Sequence, residues 1–89
     1  MPYIVKDKRA MLDPAVQSLA DAFRSLDDEG NFAGNLNYVL SKLFITLYPS
    51  ANYQRFNDVI GALECCKLEL YRKRIAPYED IKERENGPL

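Results

Sequence analysis

The sequence predicts an all-α fold: a three-helix arrangement with a long central third helix, a short N-terminal arm and a C-terminal tail. Two observations carry this. Apolar residues recur at spacings of three and four through every segment, and no stretch alternates with period two. Proline and glycine fall between the periodic segments as natural punctuation.

The 89 residues are expected to form one domain, near the small end of what folds alone. A chain of this size buries a limited core, so a homo-oligomer is expected. Residues 1–11 read as the arm, with Tyr3, Ile4 and Val5 extended and Lys6, Asp7, Lys8 and Arg9 in water. Asp13-Pro14 supplies an N-cap carboxylate and a proline for the first turn, which sets the first helix at 13–26. Its apolar face is Val16, Leu19, Ala20, Phe23 and Leu26. The acidic stretch Asp27 to Asn31, with Gly30, reads as a solvated turn. It lacks the alternating ligand positions and closing glutamate of a calcium loop.

Gly34-Asn35 signals the second helix, 35–48, whose core stripe is Leu36, Val39, Leu40, Leu43, Phe44 and Leu47 and which Pro49 stops. Tyr38 and Ile45 align on the opposite side, a candidate contact with a partner chain. Asn52 caps the third helix, 53–76, which should end or kink before Pro77. Residues 77–89 read as a tail, in which Pro77 can open a short helix before Asn86-Gly87-Pro88.

Placed at 100° steps, the third helix carries two apolar rows: Phe56, Val59, Ile60, Leu63, Cys66 and Leu70, and Tyr53, Gly61, Leu68, Tyr71 and Ile75. They cover more than an ordinary surface helix needs, so the helix is expected to pack on two sides, one of them against a partner subunit. Gly61 costs about 1 kcal/mol of helix propensity relative to alanine, which a close backbone approach would offset. Within the apolar arc runs a polar band of Asn57, Glu64, Lys67, Tyr71 and Arg74, whose consecutive members from Glu64 onward are three or four apart and can touch. One reading is a self-satisfied network that fixes packing or subunit register. The other is a ligand site in which Lys67 and Arg74 hold an anion and Tyr71 or Tyr78 stacks on a planar ring.

Several function classes lose support on composition. Without histidine, the usual general base and the commonest transition-metal ligand are missing. The adjacent Cys65 and Cys66 suggest neither a zinc site nor a disulfide framework, and two free thiols fit a cytoplasmic location. No metal ligands and no cofactor are expected. The carboxylate pairs Glu64 with Glu69 and Glu79 with Asp80 have no recognisable partners for acid–base work, and Glu64 and Glu69 diverge by about 140° on the helix. No catalytic residue is nominated. A net charge of −1 gives no broad basic footprint, so Arg72-Lys73-Arg74 alone does not point to nucleic acid. No apolar run reaches the ~18 residues of a membrane span.

GNLNYVLSKL (34–43), NDVIGALECCKLELYRKR (57–74) and APYEDIKERENG (76–87) resemble an uncharacterised family of small phage and bacterial helical proteins. The resemblance covers most of the chain and implies a phage or prophage setting, with no catalytic residues to carry over. By analogy of size and class alone, the chain is similar to oligomeric phage proteins that sequester nucleotide signals. Helical nucleotide pyrophosphohydrolases are a further analogy, but their EExxE and ExxD magnesium motifs are missing here. The sequence therefore favours a non-enzymatic, oligomeric binding protein for a small anionic, nucleotide-like ligand. A structural or protein-binding adaptor is the alternative, and an enzyme of the pyrophosphohydrolase kind comes third.

Overall fold

In a computed structural model that describes residues 2–89, the chain is all-α. Three helical rods follow one another, and the third runs on through a π-helical turn into a further α segment. The described residues fall into two compact units, Tyr3–Ala51 and Asn52–Leu89 together with Pro2.

The first unit holds α1 (Lys6–Leu26) and α2 (Phe32–Leu47), joined by a 3₁₀ turn at Glu29–Asn31. Helix α1 starts seven residues before the Asp13-Pro14 signal. Much of the expected arm, from Lys6 to Met11, is helical, and Met1 lies outside the described residues. The local reason is propensity, since lysine, arginine, alanine and methionine in this stretch all favour the helix. No side chain caps the start at Val5; the Arg9 guanidinium instead donates to the Ile4 carbonyl at 2.7 Å. Pro14 therefore sits inside the helix, where it leaves the Ala10 carbonyl without its usual donor.

Helix α1 ends where the sequence places it. Asp27 adopts the left-handed conformation (φ 51°, ψ 52°), and its N–H donates to the Arg24 carbonyl at 3.2 Å. The acidic stretch forms the expected turn, with the Asn31 N–H donating to the Asp28 carbonyl at 3.0 Å. Helix α2 opens at Phe32, earlier than the Gly34-Asn35 signal. Asn35 does not cap it; its amide donates back to the Asp28 carboxylate at 3.2 Å. The ends of the two helices meet through Phe23 and Phe32, whose ring centroids lie 6.0 Å apart. Ala20, Phe23, Asn35 and Val39 are half-buried around this junction.

The second unit is one helical rod. Asn52 caps α3 (Tyr53–Leu70) as its position suggests, its side-chain oxygen accepting from the Arg55 N–H at 2.9 Å. The rod neither ends nor stops at Ala76. Tyr71–Ile75 widens into a π turn in which the Ala76 N–H donates to the Tyr71 carbonyl, five residues back, and α4 (Ala76–Asn86) follows. Pro77 explains the widening. It has no N–H to give, and its ring would clash with the Lys73 carbonyl in a regular α-helix. The expected tail is thus mostly helical, closed at Gly87 (φ 93°), whose N–H donates to the Glu83 carbonyl at 2.8 Å.

No described residue of either unit is buried. The apolar stripes exist, and Ala20, Phe23, Val39, Phe44 and Val59 on them are half-buried, but most of their members stay exposed. Within its own unit the α3–α4 rod has no second helix to pack on the two apolar rows expected for the third helix.

Candidate functional site

The polar band lies on α3 and runs into the π turn, so its geometry is set by helical spacing up to Tyr71 and by a wider turn beyond it. Glu64 and Lys67 come together: the Lys67 ammonium sits 3.0 Å from the Glu64 carboxylate. Both side chains are more than half exposed, at 54% for Glu64 and 67% for Lys67. An exposed pair of this kind contributes roughly 0–1 kcal/mol and is weakened by salt. Arg74, one position from the end of the π turn, makes no ion pair among the described residues. Tyr71 is half exposed, and Tyr78 on α4 carries the Lys82 ammonium 5.6 Å from its ring centroid. That cation–π contact gives the Tyr78 face an intramolecular partner within its own rod.

The structure therefore joins Glu64 with Lys67. It places Tyr71 and Arg74 on a distorted turn and provides no bond from Asn57 to the rest of the band. Chemically, the free guanidinium of Arg74 can hold a carboxylate or phosphate, while Lys67 already has its anion. Among the described residues no group of three or more histidine, cysteine or acidic side chains converges as metal ligands would.

The interface candidates fall in different places. Tyr38 lines an apolar groove with Leu19, Phe23, Leu26 and Val39, yet two-thirds of its surface is exposed. Ile45 is likewise exposed. A methyl group built on Gly61 would meet nothing within 4 Å, so within its unit no described residue beyond its own helical turn makes the close approach that this glycine suggests.

One feature escaped the sequence reading, a polar knot at the α1–α2 turn. The Asp28 carboxylate accepts from the Asn31 amide at 2.7 Å and from the Asn35 amide at 3.2 Å. These bonds, Asn31 first, hold its carboxyl below its ordinary value against a smaller opposing effect of desolvation. The spacing of three and seven residues from Asp28 is the signal, masked by reading Gly34-Asn35 as the start of the second helix. The charge order along the rod is legible in the sequence, and the structure places its cations in the π turn and the acids Glu79, Asp80 and Glu83 on α4. Arg72 is engaged by Glu69 at 2.8 Å, but Lys73 and Arg74 have no ion pair among the described residues, nor do those three acids.

A match to the family described as Domain of unknown function (DUF6899) spans residues 1–89. The chain belongs to that family. No curated protein and no solved structure matches this DUF6899 chain. No described helix is long and apolar enough to cross a membrane.

Proposed function

We propose that this DUF6899 chain is a non-enzymatic assembly protein, a helical adaptor that buries its apolar faces against other protein chains. One observation carries the reading: no described residue is buried, while large apolar side chains on every rod stay in water. Met11, Tyr53, Tyr38 and Ile60 are 83%, 79%, 66% and 65% exposed. Covering apolar surface stabilises by about 25 cal/mol per Å², and helices owe most of their stability to such packing rather than to propensity. Rods with these faces uncovered would be marginal in water, and protein contact is the ordinary remedy.

The adaptor form is favoured over the nucleotide-holding form because Glu64 already occupies Lys67, and a carboxylate in the band repels an incoming anion. The motif resemblance supports a phage or prophage setting. Two free, exposed thiols support the cytoplasm. Size-exclusion chromatography with light scattering tests the proposal. The expected result is a mass at least twice that of the 10.2 kDa chain. A well-folded 10.2 kDa monomer that acquires no partner contact overturns it.

A further inference from the structure

The side of α2 away from its core stripe carries a pattern that fits a copy of itself. At 100° per residue, Gly34, Tyr38, Ser41 and Ile45 fall within an arc of about 60°, opposite Leu36, Leu40, Leu43 and Leu47. Along that arc small and large side chains alternate at steps of four, three and four, the spacing of a helix–helix seam. All four residues are exposed. We infer that this face is covered by α2 of a second copy, packed antiparallel about a two-fold axis at the level of Val39 and Leu40. The inference rests on the assembly reading above and deepens it by naming the face and the partner.

Side-chain size decides the orientation. Turning a second α2 end for end about that axis brings each Tyr38 level with Ser41 of the other copy, and each Ile45 level with its Gly34. Every large side chain then meets a small one, and the two-fold axis makes each match occur twice. A parallel copy in register would set tyrosine on tyrosine and glycine on glycine, crowded at one level and void at the next. Gly34 suits the role of a socket. It has no positive φ, and a methyl group built on it meets nothing within 4 Å, so neither its backbone nor a neighbour in the unit demands a glycine there. The Ser41 hydroxyl donates to the Asn37 side-chain oxygen at 3.2 Å, so it enters the contact with its hydrogen bond already made.

Charge and area agree with a second copy. The one charged residue of α2, Lys42, lies about 70° from the centre of the seam, where its ammonium stays in water, so two copies meet without burying a charge. Tyr38 also lines the apolar groove to which α1 contributes Leu19 and Leu26, so groove and seam are continuous. Leu19, Leu26, Tyr38 and Ile45 are 40%, 58%, 66% and 58% exposed. At roughly 200 Å² for a large side chain they leave about 450 Å² of apolar surface per copy, or about 900 Å² over two. Homodimer interfaces are about 65% apolar, so covering that surface implies a contact of about 1,400 Å² in all, within the roughly 1,200–2,000 Å² of stable interfaces.

Exchanging the sizes tests the register. Gly34→Leu fills the socket, and Ile45→Ala removes the side chain that enters it. Leucine and alanine are better helix formers than the residues they replace, and Gly34 has open space around it in the single chain. Each variant alone should associate roughly tenfold or more weakly in sedimentation equilibrium, by overlap in the first and by a cavity in the second. The chain carrying both substitutions should recover most of the wild-type affinity, since leucine then meets alanine on both sides of the axis. That recovery separates a mismatched contact from a damaged fold. If wild type is oligomeric and the single variants associate unchanged, or both weaken and the double variant recovers nothing, this seam is wrong while the assembly reading stands. If wild type is monomeric at every concentration, the assembly reading itself fails.

Discussion

Asp28 shows how a single carboxylate ties a helix start to the turn before it. It accepts from the amides of Asn31 and Asn35, so its ionised form is the one the fold holds. Its folded value therefore lies below the ordinary 3.8. A lowered carboxyl contributes stability that is fully present above the unfolded value and is lost as pH falls through the folded one. Asp28→Ala should thus lower the thermal midpoint near neutral pH. The gap between variant and wild type should close as pH drops from about 5 through and below 3.8. Thermal melts of both proteins from pH 7 to pH 2.5 check this, and a gap that stays constant across the range would show that the knot does not act through ionisation. Asn35 was the ambiguous residue here. Its type and position suit a cap equally well, and only the 3₁₀ turn, which brings Asp28 within reach, decides between the roles.

At the scale of the element, the two helix-embedded prolines are the sharper contrast. Pro14 interrupts a regular α-helix, whereas the rod around Pro77 has widened into a π turn. An unrelieved interior proline costs a helix about 3 kcal/mol, mainly through the lost bond and the ring clash. Pro14→Ala should therefore raise stability in denaturant unfolding by more than Pro77→Ala does, with the second gain a fraction of that cost. Equal gains, or the reverse order, would mean that the π turn does not relieve Pro77. The same residues explain what was readable beforehand. The period of three and four gave the helices because it reflects one apolar face per rod. The Asn52 cap was legible because the side chain and the helical run it serves are adjacent. The bounds at Lys6 and Pro77 were not, since a proline marks a local cost and says nothing of whether the flanking residues outweigh it. On the left of Pro14, Lys6 to Leu12 are good helix formers; on the right of Pro77, one widened turn restores the path of the chain.

The molecule as a whole poses a question of where its stability comes from. Each rod has the apolar face that a packed protein needs, yet neither unit buries a described residue. The polar band follows the same logic. Its members were singled out because an apolar arc should be covered, and in the single chain it is not, so whether Tyr71 and Arg74 face a neighbour depends on assembly. Folding and association should then be one equilibrium, as in dimers whose protomers have no stable form of their own. Such coupling makes the thermal midpoint depend on protein concentration, because dilution favours the unfolded, separated chains by mass action. Melts followed by circular dichroism from about 1 to 100 µM should show the midpoint rising steadily with concentration, with the helical signal lost in the same transition as the light-scattering mass. A midpoint that does not move over that hundredfold range would assign stability to the single chain and leave the exposed apolar faces without a role in folding.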